Sequence, residues 1–191
     1  MLNPKNQGKM KKVVLCLAVA MALAACGTKK QAAYKGDVAV TVPCSGKEYR
    51  STKDQLRALG TGYSTSLQVA RDKALVAARA ELATQINVLM KRVTDNYASS
   101  YEMGMDEEVK GKYQDLARQV VNQELNGTIV ICDETQRTQD GKFRCYIVVE
   151  LAGTDVMTKV ANKVRNDDKL RIDFEYERFK QEFEKEMNKM E

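Results

Sequence analysis

The residues available for chemistry are few, and the cysteines come first. Five are present among 191 residues, with no histidine and no tryptophan. Lack of His removes the commonest general base and the commonest zinc ligand. Cys16 lies inside an apolar run and Cys26 ends it, which leaves Cys44, Cys132 and Cys145. That is an odd number to pair, and too few ligands for a metal. Asp133 and Glu134 are adjacent carboxylates that could serve a hydrolase or transferase, but neighbours on a strand point to opposite faces. Gly60-Thr61-Gly62 precedes Ser64, Thr65 and Ser66, any of which can cap a helix. A helix start beside glycines can hold a phosphate. Here the third glycine of a dinucleotide fingerprint and the Gly-Lys-Ser/Thr end of a P-loop are both missing. The segment therefore reads as a tight turn whose glycines let strand and helix approach closely. No catalytic, cofactor or metal site is expected.

The N-terminus carries the clearest signal. Lys5, Lys9, Lys11 and Lys12 precede an apolar run of about thirteen residues, Val13 to Ala25. That length suits a signal-peptide core and is short for a bilayer span. The run ends Leu23-Ala24-Ala25-Cys26, which resembles the bacterial lipobox, and the resemblance implies that Cys26 is acylated and becomes the mature N-terminus. Four of the 31 basic residues precede Cys26, so the processed chain would carry 27 against 26 acidic residues, and +1 rather than +5. The basic balance belongs to the export signal and gives no argument for nucleic acid. Gly27 at the second mature position is not the Asp that retains enterobacterial lipoproteins in the inner membrane. By that analogy the chain is expected in the bacterial cell envelope, anchored to the outer membrane and facing the periplasm.

The elements that would position these residues follow in order. Residues 1–25 are read as the signal peptide and 26–36 as a lipidated N-terminus with a polar tether. Residues 37–166 are read as an α+β domain and 167–191 as a charged amphipathic C-terminal helix. Lys29, Lys30 and Lys35 either touch anionic headgroups or are simply solvated. Val38, Val40 and Val42 alternate as a strand does, up to Pro43. From Leu56 a second strand leads into the glycine turn. A long helix then runs from Ser66 to about Tyr97, with Leu67, Ala70, Ala74, Ala78, Leu82, Ile86, Leu89, Val93 and Tyr97 along one face. Another helix is expected from Asp106 to Leu125, closed by Asn126-Gly127.

Thr128–Thr138 and Lys142–Leu151 read as a hairpin about Asp140-Gly141, the favoured type I′ pair. In that register Cys132 and Cys145 share a sheet face, four residues out of step and about 13 Å apart. Buried free thiols are then the favoured reading, with Cys44 pairing with one of them as the alternative. Val156, Val160 and Val164 begin a final helical region. Beyond Asp168, Ile172, Tyr176, Phe179, Phe183 and Met187 form a stripe among dense charges, resembling a coiled coil. Two readings stand: a helix folded back on its own domain, or a surface for a protein partner or self-association.

At "RALGTGYSTSLQVARDKALVAARAELATQI" the chain resembles the twenty-kilodalton lipoprotein family typified by a Helicobacter outer-membrane lipoprotein. The "Asp-Gly-Lys-Phe" hairpin fits that family's later strands, and the likeness covers about residues 55–152. It implies an α+β fold in which a long helix packs across a small antiparallel sheet, similar to domains of flagellar-assembly periplasmic proteins, and brings no catalytic residues. The expected function is that of a non-enzymatic envelope protein that binds or scaffolds other envelope components. The alternative is a periplasmic ligand-binding lipoprotein with an apolar pocket under the long helix.

Overall fold

The computed structural model describes residues 36, 40–100, 106–172 and 174–190. The expected signal segment, Cys26, the expected tether up to Lys35 and the first half of the Val38–Val42 alternation lie outside them. Residues 41–191 cluster as one compact unit.

The fold is α+β, a long helix lying across a three-stranded antiparallel sheet. Strands β1 (Gln55–Ser64), β2 (Ile129–Arg137) and β3 (Phe143–Ala152) are ordered β1-β3-β2, with β3 central. Helix α1 (Leu67–Ser99) follows β1; α2 is Glu107–Glu124, α3 Gly153–Arg165 and α4 Tyr176–Asn188. The apolar stripe of α1 is buried as its spacing demands from Ala70 through Tyr97, while Leu67 stays exposed.

The glycines are strand, not turn. β1 runs straight through Gly60-Thr61-Gly62 and reverses only at Ser64. Their purpose is proximity. A Cβ on Gly60 would lie 2.1 Å from the Ala74 carbonyl oxygen and 2.2 Å from the Ala78 nitrogen, and one on Gly62 would lie 1.9 Å from the Ala70 carbonyl oxygen. Helix backbone thus rests directly on strand backbone, across a floor of three fully buried alanines. The stripe widens beyond Ala78 to Leu82, Ile86 and Leu89. There the core thickens, and α2 and α4 pack against α1 while α3 packs against α2.

Three further expectations are corrected. Val40–Val42 is not a strand: Val40 is exposed and the segment makes no ladder. Pro43 ends it, and sheet pairing begins only at Gln55. The hairpin loop is also longer than a type I′ pair. The Thr138 nitrogen donates to the Lys142 carbonyl at 2.9 Å, and the Gly141 nitrogen to the Thr138 carbonyl at 2.9 Å. Gly141 alone in the loop has positive φ, 78°. This is a type I turn closed by a left-handed glycine, which spans three residues rather than two. The pairing moves by one, so Cys132 faces Val148 and Cys145 faces Thr135. A one-residue slip exchanges the faces of a strand, and the two cysteines lie on opposite sides of the sheet.

The third correction concerns the C-terminal stripe. Phe179, Phe183 and Met187 are buried in the domain's own core, and Tyr176 is half-buried beneath the Arg165 guanidinium, 4.3 Å from its ring centroid. Phe179 joins Tyr97, Tyr113 and Phe174 in an aromatic cluster with centroids 5.4–6.3 Å apart. The Tyr97 hydroxyl accepts from the Glu175 nitrogen at 2.9 Å, and Asn96 Nδ2 donates to Glu186 Oε1 at 3.0 Å. Helix α4 buries its aromatic side because α1 outruns the sheet and needs a cover there. Of the expected partner surface, Ile172 alone is fully exposed.

Gly60→Ala is expected to destabilise the fold by about 1–3 kcal/mol or more, because strand or helix backbone must shift. Gly111→Ala, where an added Cβ meets nothing, is expected to stabilise by up to about 1 kcal/mol. Urea denaturation of both variants checks the pair.

Candidate functional site

On the sheet face away from α1, a strap crosses the strands. Cys44 is joined to Cys132 of β2, with 5.9 Å between their Cα atoms. Cys44 takes a left-handed backbone, φ 57°, a conformation that costs an L-residue about 1–2 kcal/mol, and burial and the disulfide hold it there. From Cys44 the chain passes through a short 3-10 turn, Lys47–Tyr49. It reaches β1, where Arg57 Nη1 donates to the carbonyls of Glu48 and Arg50, each at 3.0 Å. Arg57 also pairs through Nε with Glu150 Oε2 at 2.6 Å. The Ser51 hydroxyl accepts from the Arg57 nitrogen and donates to its carbonyl, which closes that stretch of the β1 edge. Beneath the strap Cys132, Tyr146 and Val148 form a small second core, with Leu59 and Ile131 against it. Cys145, facing the helix, is a buried free thiol beside Thr135 Oγ1 at 3.3 Å.

A different cluster forms where β1 ends, α1 begins and the hairpin turns. The Tyr63 ring lies under two cations, Lys142 Nζ at 5.1 Å and the Arg144 guanidinium at 5.6 Å from its centroid. Arg137 lies 5.4 Å from the Phe143 centroid. The Tyr63 hydroxyl donates to Asp140 Oδ2, Thr138 Oγ1 donates to Asp140 Oδ1, and Lys142 bridges to Asp140 at 3.0 Å. The Thr138 hydroxyl above all, then Tyr63 and Lys142, hold the Asp140 carboxyl well below the usual carboxylate range. Asp140 in turn raises the Lys142 ammonium. Nothing in the spacing of Tyr63 and Asp140 announces their meeting; it follows only once β1 pairs with β3.

The remaining candidates do not converge. Asp133 lies on the helix side of β2 and pairs with Arg71, while Glu134 lies on the strap side opposite Tyr146. Among the described residues, no three potential metal ligands cluster. No apolar pocket opens under α1 where it crosses β1, because the two backbones are in contact there. The cleft beside it, about 320 Å³, lies between α1 and α2 and is lined by Asn87, Val88, Lys91, Gln114 and Arg118 among others. No described helix is long and apolar enough to cross a membrane.

No family model, curated protein or solved structure matches this chain. The site therefore rests on its own geometry.

Because the folded Asp140 carboxyl is depressed, its contribution to stability is fully present above the unfolded value near ~3.9. It is lost as pH falls through the lower folded value. Carboxyl-carbon NMR is expected to show Asp140 titrating below the usual carboxylate range, and Tyr63→Phe is expected to raise the Asp140 midpoint part of the way back. Replacing both Cys44 and Cys132 by Ser is expected to cost about 2–5 kcal/mol, read as a lower urea midpoint.

Proposed function

We propose that this chain is a non-enzymatic, lipid-anchored protein of the bacterial cell envelope that binds or scaffolds other envelope components. The observation that carries the reading is the Cys44–Cys132 disulfide, about 18 residues after Cys26. Disulfides persist in oxidising compartments and are rare in the cytosol. An apolar export segment ending in Leu-Ala-Ala-Cys and a disulfide just beyond it argue independently for life outside the cytoplasm. Acylation of Cys26 would fix the chain to a bilayer, since stable anchoring takes more than one acyl chain or a second signal. Gly27 favours the outer membrane, with the domain facing the periplasm.

The scaffold part is supported by what the side chains are arranged to do. The adjacent carboxylates Asp133 and Glu134 face opposite ways, and each charged cluster described above is tied to a neighbouring strand or loop. A domain held by a disulfide strap and a buried aromatic cluster suits presentation of a rigid surface. The C-terminal segment contributes to that surface through Ile172, which precedes α4 because the helix spans only Tyr176–Asn188 and not 167–191, and through the charged side of α4 rather than its aromatic stripe.

Cells fed a labelled fatty acid are expected to label the wild-type chain, which should fractionate with membranes. Cys26→Ala is expected to lose the label and leave the membrane fraction. Crosslinking in the same cells should recover partners that Cys26→Ala or Ile172→Glu diminishes. Partners unchanged by both substitutions would remove the scaffold reading, and label persisting on Cys26→Ala would remove the anchor. A truncation after Asn166 is unsuitable, because it deletes Phe179, Phe183 and Met187 from the core.

A further inference from the structure

We propose that the hairpin-tip end of the sheet is a second, reversible membrane contact that lays the domain on a leaflet containing anionic phospholipid. The inference takes its nearness to a bilayer from the lipid-anchored reading above; the chemistry of the surface stands apart from it. Three features meet at this end. Arg137, Lys142 and Arg144 present cations beside the Tyr63 and Phe143 rings. Tyr63 is 38% exposed, and Leu67 and Val69, in the first turn of α1, are each 42% exposed. That first turn holds no acidic residue, and its N-cap Ser66 makes no side-chain capping bond, so the positive end of the helix dipole is left uncompensated among the cations.

Three of the acids nearby are engaged, and Glu134, exposed on the sheet face that carries Tyr63 and Arg144, sets one negative charge against the cations. Asp140 accepts from Thr138 and Tyr63 and pairs with Lys142, Asp133 pairs with Arg71, and Asp72 accepts from Gln68 at 2.9 Å. What faces outward is therefore a net cationic rim around a tyrosine and two aliphatic side chains. Tyrosine favours the headgroup level of a bilayer, where one end of the ring is apolar and the other wet. Cations at the same level are drawn to anionic lipid and lose that attraction beyond a Debye length. An acidic protein or polysaccharide would satisfy the cations but would leave Leu67 and Val69 without an apolar phase, and that decides for lipid.

Covalent reach permits the contact. Eighteen residues span at most about 60 Å, and Cys132 lies five residues from Arg137 along β2, about 17 Å. A surface confined that close to a bilayer meets it at an effective concentration on the order of millimolar, so weak intrinsic affinity suffices.

The test uses the chain from residue 27, which lacks the acyl site and retains the whole compact unit of residues 41–191. It is floated with vesicles of phosphatidylcholine alone or with about 30 mol% phosphatidylglycerol, at about 50 mM and about 500 mM salt. Binding is expected to be several-fold greater on the anionic vesicles and to vanish at high salt. Arg137→Glu with Arg144→Glu is expected to lower it at least tenfold. Lys91→Glu with Arg118→Glu, an equal charge change at the α1–α2 cleft, is expected to leave it within twofold. Thermal melts of both double variants confirm folding. Equal losses in the two double variants would reduce the effect to net charge and overturn the proposal. Failure to float with anionic vesicles overturns it too, including where the chain instead binds an acidic polymer. Either result leaves anchoring through Cys26 to be judged by fatty-acid labelling alone.

Discussion

The contact between α1 and β1 governs the rest of the molecule. Gly60 and Gly62 remove the side chains that normally hold a helix off a sheet, and Ala70, Ala74 and Ala78 complete the approach. A helix pressed onto a strand at one end and lined by Leu82, Ile86, Leu89 and Val93 further along makes a wedge-shaped core. The thin end has room for two layers only. The thick end requires additional cover, and α2, α3 and α4 supply it. An alanine-to-leucine gradient along one helix thus determines where every other helix packs. It also leaves the hairpin tip as the bare, two-layered extremity.

Much of this was legible in residue spacing. Periodicities of three and four place α1 and α2 within about two residues of their bounds, and Val156, Val160 and Val164 mark the buried side of α3, because each helix buries one continuous stripe. The glycines were read correctly as allowing close approach and incorrectly as a turn. Glycine is uncommon within strands, and the sequence holds no sign that a helix backbone would occupy the missing Cβ positions. The aromatic stripe of α4 looked the same whether it covered a partner or its own domain. Spacing reports that a face is apolar and is silent about what meets it. The deciding fact is the length of α1, which extends past the sheet and leaves Tyr97 in need of Phe174 and Phe179.

The hairpin shows how one residue of loop length propagates. With two residues in the loop, Cys132 would face the helix alongside Cys145, and both would remain thiols. With three, the left-handed Gly141 shifts the pairing, and Cys132 turns to the opposite face within reach of Cys44. A bulge at Ile131 then moves the register again before β2 ends, so that Val130 opposes Val149. Asp140-Gly141 suits either loop, and the sequence holds no local feature that chooses between them. For that reason the favoured reading of buried free thiols fails for Cys132, and the alternative, Cys44 paired with one of the other two cysteines, is the one the structure adopts.

The strap and the tip acquire a common meaning from the direction in which the chain enters the domain. Ahead of Lys47–Tyr49 the chain is bonded at Cys44, and the disulfide passes any pull from the N-terminal side directly into β2, without first peeling that turn from the sheet. Arg57 secures the far end of the strap through two carbonyls and Glu150. The attachment point is therefore the sheet itself, and β2 carries it in rigid register to the hairpin that presents Arg137, Lys142 and Arg144. A domain fastened through its sheet keeps a fixed relation between the point of attachment and the cationic tip. A domain fastened through a loose terminal segment would swivel about it and spread the tip over many orientations. Under the proposed anchoring, the covalent strap is what would make an oriented surface physically reasonable.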